Sequence, residues 1–455
     1  MESMKLTEIA SALGADPENY TAAEITGVTL DSREAGEGSL FIAVKGDRFD
    51  AHDFVPDVLA RGAAAVCERK IDGASPDRVI YVPDTRRALL RLAKYYRAKF
   101  DIPVVGLTGS VGKTTTKEMV AAVLSQKYKT LATQGNFNNE IGLPKMCFKL
   151  DSSYEAAVFE MGMSGFGEIS RLTDTARPTI GIITNIGVSH IEMLGSREGI
   201  LKAKMEILEG MPDSAPLIIN GDNDLLPKGV EGIPNPVVVC GITCKEADCR
   251  AENIRQLQDS MSFVINYRGS RYDVNLPAVG MHNVYNACIA FACGMLLNVT
   301  PEQAVRGLSE YVPTGMRQKI VRKNGITVIE DCYNASPDSI KASLRVLRDL
   351  DCSRRIAVLG DMKELGSYSR AAHLECGAEA AANGTDVLLA YGPEAAAYVE
   401  GAEGKIPTAL HFDDKRDLVM KLCSMLREGD AVLFKASRAM KLEEAIESVY
   451  EVIGE

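Results

Sequence analysis

No C-x-x-C pair occurs anywhere in the chain, although it contains 11 cysteines. Scattered cysteines argue against a disulfide framework and fit a reducing compartment. Cys240, Cys244 and Cys249 cluster, but they match no zinc spacing and have no fourth ligand close in sequence. They read as free thiols. Any apolar run near the ~18 residues of a membrane span is also missing. The opening MESMKLTEIA lacks the basic-then-apolar order of a secretion signal. These absences point to a cytoplasmic protein with no membrane role. Positive charge is short too. Lys and Arg number 51 against 62 Asp and Glu, a net charge of -11. That balance argues against a general nucleic-acid binder, which needs clustered cations. Low-complexity tracts are absent, as are repeats with periods of roughly 20–50 residues.

What is present suits a sizeable globular core: 46% of the 455 residues are apolar. The length allows about three domains of roughly 150 residues. A first α/β unit covers 1–84 and closes near Pro83, after short apolar runs broken by Gly and Asp turns. RRALLRLAKYYRAKF then reads as an amphipathic connecting helix. From about Asp101 the pattern changes. IPVVGLT, AAVFEM, TIGIITN and PLIIN are short apolar runs of the sort buried in a parallel sheet, with helical stretches between them. This βαβ unit covers 85–313. A third unit, 314–455, alternates GITVIED, RIAVLGD, DVLLAYG and AVLFKAS with helices such as SIKASLRVLRDL.

LTGSVGKTTT, residues 107–116, looks like a phosphate loop yet departs from G-x-x-x-x-G-K-[ST]: Leu107 stands where the first glycine belongs. The context is right nonetheless. A buried strand precedes it, TTTKEMVAAVLSQ follows as a helix, and position 107 still belongs to the strand. Gly109 and Gly112 let the backbone turn tightly toward an anion. The N–H groups at the helix start then face phosphate oxygens, and Ser110, Val111, Lys113, Thr114 and Thr115 join the two glycines as the expected nucleotide-binding residues. Lys113 supplies charge to the β- and γ-phosphates, and Thr114 offers a hydroxyl to Mg²⁺. The pattern points to ATP and is silent on the reaction.

Two further stretches narrow the chemistry. AAVFEMG ends a strand on Glu160, where a doubly wound sheet presents ligands. A metal carboxylate and a solvated loop carboxylate are both open there, and we assign it to Mg²⁺. GSREGILKAKMEIL, set on a helix at ~100° per residue, puts Lys204 near the middle of an arc of Ile200, Leu201, Ala203, Met205, Ile207 and Leu208. Lys202 points the other way. A lysine among apolar neighbours has a depressed pKa, and a neutral amine reacts with CO₂ to give an anionic carbamate. The competing reading is a lysine that snorkels from the helix edge. His190, just after TIGIITN, is either a second metal ligand or a structural histidine.

At this point the chain resembles the Mur ligases, ATP-dependent amide-forming enzymes of peptidoglycan precursor synthesis, over essentially its whole length. TGSVGKTTT is similar to their shortened phosphate loop. NIGVSHIEMLGSREGILKAKMEI is similar to their second metal segment, in which the lysine matching Lys204 is carbamylated in several members. GMHNVYNACIA carries Asn286, implied to lie near the nucleotide, and PTGMRQ carries Arg317, implied to reach ATP from the third domain. The implied fold is three α/β domains: a small UDP-binding unit, a central phosphate-loop ATPase domain with a mainly parallel sheet, and a Rossmann-like C-terminal domain. LDSREAGEGSLFIAVKGDRFDAHDF resembles the UDP-sugar-binding domain through Asp31, Ser32 and Arg33. NFNNEIGLP (with Asn136, Asn138 and Asn139), EDCYNASPDS (with Asp331, Tyr333 and Asn334) and LGDMKELG are closest to the last ligase of the series. That member adds D-alanyl-D-alanine to UDP-N-acetylmuramoyl-tripeptide. Asp331 is implied at the nucleotide; Tyr333, Asn334, Lys435, Ser437 and Arg438 are implied at the substrates. KASR departs from the usual K-G-S-R at Ala436, a substitution that a left-handed backbone would resist.

The resemblance implies a chemistry these residues can support. The tripeptide carboxylate takes the γ-phosphoryl group of ATP, and the dipeptide amine displaces phosphate from the acyl phosphate. Two Mg²⁺ ions are implied: one on Thr114 and Glu160, the other on His190 and carbamylated Lys204. Arg317 comes from another domain, so the site completes on closure. A monomer is the expectation. Three rivals stay open: another ligase of the superfamily (the tripeptide-forming step or a folylpolyglutamate synthetase type), a nucleotide-dependent switch ATPase, and a nucleotide-sugar-binding module. The D-N-P-R element of diaminopimelate-adding members is absent.

Overall fold

The computed structural model describes residues 1–46, 49–313 and 315–454. Asp47 and Arg48 of the UDP-sugar motif, Thr314 at the start of the third expected unit and Glu455 at its end lie outside the described residues. Three larger sheets organise the chain. Gly27–Thr29, Ser39–Ile42, Ala64–Cys67 and Val79–Tyr81 pair in parallel and in chain order.

The second sheet has nine strands. Its fully buried centre is Val104–Thr108, flanked in parallel by Ala156–Glu160 and Ile180–Ile183. Burial on both faces explains why IPVVGLT, AAVFEM and TIGIITN read as continuous apolar runs rather than alternating ones. Chain order reverses at Val104–Thr108, because Ala156–Glu160 and Ile180–Ile183 lie on opposite sides of it. Ligands bind at such a switch point, beyond the carboxyl ends of the strands. The phosphate-loop segment leaves from that end. The far edge carries the antiparallel part of this mainly parallel sheet. Cys249–Gln256, Met261–Tyr267 and Ser270–Leu276 form an antiparallel meander that extends the parallel part. Arg268 and Gly269 take φ of 49° and 91° at its two-residue turn, as a tight hairpin of this hand requires.

The third sheet orders Lys319–Lys323, Ile326–Glu330, Asp430–Lys435, Arg354–Gly360, Val387–Tyr391 and Thr408–Phe412. The first pair is antiparallel and the rest are parallel. Asp430–Lys435 lies between Ile326–Glu330 and Arg354–Gly360, so EDCYNASPDS, KASR and LGDMKELG leave from three neighbouring strand ends. Sequence alone does not bring those motifs together; the strand order does.

RRALLRLAKYYRAKF is a helix over Thr85–Arg97, capped by the Asp84 carboxylate accepting from the Arg87 N–H. It is more than a connector. Its apolar face shares one continuous core with Leu6 and Ile9 of the first unit and with Leu143, Phe148 and Leu172 of the second. Tyr96 ties this junction: its buried hydroxyl donates to the Leu150 carbonyl at 2.6 Å and accepts from the Glu2 N–H at 2.7 Å. Among the described residues no helix is long and apolar enough to cross a membrane. Tyr96→Phe should cost about 1–3 kcal/mol, because it strands the Leu150 carbonyl and the Glu2 N–H. A lowered first transition in thermal unfolding is the check; an unchanged transition contradicts it.

Candidate active site

The loop after Val104–Thr108 owes its shape to two glycines. Gly109 presses so closely on the next strand that a Cβ there would collide with the Thr184 hydroxyl. Gly112 has φ 81° and lies against the Asn286 carboxamide. Asn185 then pins the turn. Its Oδ1 accepts from the Ser110 and Val111 N–H groups at 3.0 and 2.9 Å. Ser110 and Val111, expected at the nucleotide, line the cavity beside this loop while their N–H groups are held by Asn185. Lys113–Leu124 follows as the helix, whose first N–H groups have no partner within it. These are the groups left for an anion, with the helix dipole behind them.

Residues 110–115 form one wall of a cavity of about 560 Å³. The Lys113 ammonium folds back on the Gly109 carbonyl at 2.8 Å. Burial lowers its pKa; the Arg317 charge adds to the shift and Glu160 opposes it. Asn286 accepts from the Thr116 hydroxyl at 3.0 Å and so joins the helix Met281–Leu296 to the loop helix.

Glu160 faces this wall and is 2% exposed. One carboxylate oxygen accepts from Asn138 Nδ2 at 2.9 Å. The other is buried and has no hydrogen-bond partner among the described residues. Asn138 and Asn139 also line the cavity, but their work is local. Asn138 orients Glu160, and Asn139 Oδ1 accepts from the Ile141 and Gly142 N–H groups. Asn136 is exposed and lies outside the cavity.

Helical arithmetic holds at Lys204. In Arg197–Met205, Ile200, Ala203 and Lys204 are buried, while Lys202 is exposed over the Phe166 ring. Glu206 gives Lys204 no pair, since its carboxylate caps the N–H groups of Gly167 and Ser170. Lys204 is 2% exposed, with no hydrogen bond or ion pair among the described residues. Burial drives its pKa well down, and the charge of Lys113 pushes the same way. It does not line the cavity.

The third unit closes the opposite wall with Arg317, Asp331, Tyr333, Asn334 and Lys435. Arg317 lies over the Tyr333 ring, 4.1 Å from its centroid. Asp331 and Lys435 form a buried pair at 2.7 Å. Ser343 donates to the same Asp331 oxygen at 2.5 Å, and Gln318 links Ser343 to His282 Nε2. Burial lowers the pKa of His282. His282 belongs to the quoted GMHNVYNACIA, but periodicity gave it no role.

His190, with φ 64°, turns its Nδ1 to the Glu364 carboxylate at 2.8 Å. That hydrogen bond holds the Glu364 pKa below the usual carboxylate value. Asp338 reinforces the junction by accepting from the Val188 N–H at 3.3 Å. His190 also borders a second cavity of about 270 Å³, which Ser437 and Arg438 line. Ala436 has no left-handed backbone, so its methyl is tolerated. It fills the space over Gly360, where a second Cβ would come within 2.7 Å.

Asp31, Ser32 and Arg33 line neither cavity. The Arg33 side chain pairs with Asp31 and holds its pKa down at about 2, with a smaller contribution from Lys145. Lys145 belongs to the helix Gly142–Cys147, so this turn faces the segment that follows NFNN. Cys240 and Cys249 are in-register neighbours on adjacent strands, and all 11 cysteines are free thiols.

Comparison with known proteins matches this arrangement throughout. The Mur ligase middle domain matches residues 107–294, the Mur ligase glutamate ligase domain 316–438, and the Mur ligase family catalytic domain 24–97. A UDP-N-acetylmuramoyl-tripeptide--D-alanyl-D-alanine ligase of Bacillus subtilis (strain 168) is 39% identical over 98% of this chain and 97% of its own. A crystal structure of MurF from Acinetobacter baumannii superposes with a TM-score of 0.92 at 32% identity, covering 99% of both chains. MurF of Thermotoga maritima in complex with ADP gives 0.86 at 31% identity, covering 94% of this chain and 97% of that one.

Asn185→Ala should loosen the turn by freeing the Ser110 and Val111 N–H groups. Nucleotide affinity by calorimetry is expected to fall about tenfold, the worth of one to two hydrogen bonds. Unchanged affinity contradicts the pinning role.

Proposed function

Because this chain belongs to the Mur ligase family, we propose that it joins D-alanyl-D-alanine to UDP-N-acetylmuramoyl-tripeptide at the expense of ATP, in peptidoglycan precursor synthesis. The observation that carries the reading is the shared cavity. A phosphate-loop wall with Lys113, a buried carboxylate oxygen on Glu160 that has no partner among the described residues, and Arg317 from the third unit all face it. Relatives bearing that ligase name, matched over 90% or more of both chains, and the ADP complex of Thermotoga maritima MurF support it. In this reading 1–84 binds the UDP-sugar through the turn at Asp31, Ser32 and Arg33. Residues 85–313 bind ATP, and 314–455 complete the ligase site.

Attacking carboxylate and ATP are both anionic, so neutralising charge is the first task. The first N–H groups of the helix Lys113–Leu124 and the Lys113 ammonium hold the phosphates. Arg317 approaches from the other side, kept flat by the Tyr333 ring. The tripeptide carboxylate takes the γ-phosphoryl group, giving an acyl phosphate and ADP. The dipeptide amine then attacks the acyl carbon, the C–O bond to phosphate breaks, and an amide and inorganic phosphate remain. The wall supplied by the third unit excludes water that would hydrolyse the acyl phosphate.

The residues fit a hard cation. Glu160 keeps a free buried oxygen in the cavity that the hydroxyl-bearing Thr114 also lines, and among the described residues no site has three or more His, Cys, Asp or Glu ligands. Phosphate oxygens would complete its shell. Mg²⁺ bound there supplies charge neutralisation on the transferred phosphoryl group. A second ion would be held by His190 and a carbamate on Lys204. The amine of Lys204 is the one whose burial and lack of a partner favour that modification.

Mass analysis of the product after incubation with ATP, D-alanyl-D-alanine and UDP-tripeptides carrying lysine or diaminopimelate tests the reaction. ATP turnover without both small substrates would instead support a switch ATPase. Lys204→Ala should lower ligation about 100-fold, as loss of a metal-site residue does, and short carboxylic acids should restore part of it. Lys202→Ala, on the solvent face, should be silent. Equal activity in both variants contradicts the role of Lys204.

A further inference from the structure

His373 is 0% exposed on the helix Ser369–Ala382 and lines neither cavity. Both of its ring nitrogens are engaged. Nδ1 meets the Ser369 carbonyl at 2.7 Å, and a carbonyl only accepts, so Nδ1 carries the proton. Nε2 is therefore bare, and it accepts from the Met362 N–H at 3.1 Å. The Tyr398 ring packs on the imidazole, 4.7 Å between centroids.

Met362 belongs to LGDMKELG, the turn that leaves the strand Arg354–Gly360. Successive N–H groups of this turn go to different elements. Asp361 donates to the Tyr391 carbonyl at 3.2 Å, Met362 to His373, and Lys363 to the Ser437 hydroxyl at 2.9 Å. The buried Asp361 carboxylate accepts from the Glu394 N–H at 3.1 Å. Glu364 comes next, with φ 65°, a conformation uncommon for a residue with a side chain. Its carboxylate meets His190 of the middle unit at 2.8 Å. Such a conformation persists only where the surroundings fix it. Of the anchors on these N–H groups, the carbonyl and the hydroxyl are indifferent to pH; the imidazole is not.

Protonation at Nε2 would set its N–H against the Met362 N–H, two donors with no acceptor between them. The charged groups around the ring are already engaged. Asp361 and Lys363 face it from the turn and pair with each other at 2.8 Å. Glu394, beyond the strand Val387–Tyr391, accepts from the Ser369 hydroxyl. Tyr398, on Ala396–Ala402, donates its hydroxyl to the Gly360 carbonyl at 3.1 Å. The helix Pro337–Asp349, which also packs on the helix of His373, has Lys341 and Arg345 paired with Glu375 and Glu379. Burial lowers the His373 pKa; the Ser369 carbonyl, Asp361 and Glu394 oppose the shift, and Lys363 adds to it. The anchor is thus fully present above the ordinary histidine value of about 6.5 and is lost as pH falls through the lowered value.

We propose that His373 is a positioning residue: neutral, it fixes the turn that brings Glu364 to His190, and protonated, it releases that turn. Only its effect on turnover rests on the ligase reading.

Side-chain nitrogen NMR of the wild-type enzyme, whose histidines number five, reads the tautomer without need of a variant. The signal assigned to His373 should be an Nδ1–H imidazole that stays neutral below about pH 6.5. An Nε2–H tautomer, or titration at the ordinary value, overturns the proposal. In ligation, His373→Leu leaves the Met362 N–H unpaired and should lower kcat about tenfold at about pH 8. His373→Gln keeps an acceptor that does not titrate. It should recover most of that loss and move the acid limb of the kcat profile to lower pH. Thermal unfolding reports the fold of both variants. Equal loss in the two variants with an unmoved acid limb marks a merely structural histidine and overturns the proposal, as does no loss in either. A wild-type enzyme that makes no dipeptide-extended product overturns the ligase reading, and the NMR result then decides the anchor alone.

Discussion

Glu160 and Lys204 are almost withdrawn from water, and each lacks the full set of partners that burial normally demands. Much of the middle unit serves to keep them so. Asn138 occupies one Glu160 oxygen and leaves the other bare. Glu206, the acid nearest Lys204 in sequence, is turned away to cap a neighbouring helix. Lys113 lies close enough to disfavour a charge on Lys204 and to feel that of Glu160. An isolated buried charge is costly, so such a cluster persists only where a ligand completes it or where the surrounding packing is strong. The flanking strands Val104–Thr108 and Ile180–Ile183 are entirely buried and supply that packing.

The sequence carried the strands well where their burial is two-sided. IPVVGLT, AAVFEM and AVLFKAS have no competing period, and each became a central strand. The burial of Lys204 and the exposure of Lys202 follow from the helical spacing, because a nine-residue helix fixes which side chains share a face. The meander over 249–276 was missed although MSFVINY alternates in the proper way; its signal is split by polar residues on the open face. Asn185 and Glu364 were harder to find. Each acts through a partner more than seventy residues away, Ser110 and His190, and only strand order brings those pairs together.

Ala436 shows where a motif comparison misleads. An alanine in K-A-S-R looked like a conflict with backbone conformation. The structure removes the conflict: the position is not left-handed, and Gly360 leaves the space that the methyl takes. Side-chain volume on two adjacent strands is shared, so neither residue can be judged alone.

The helix Thr85–Arg97 has a mechanical consequence. It sinks into a single apolar core with both the first and second units, whereas the third unit meets the second through Val279 and through polar links: His190 to Glu364, Gln318 to His282, Asp338 to Val188 and Arg322 to Asp259. Separating apolar surfaces exposes them to water, while polar links can exchange their partners for water at small net cost. The molecule therefore resembles a fixed jaw of two units and a moving jaw of one. Rising ionic strength should loosen the moving jaw and leave the fixed one shut.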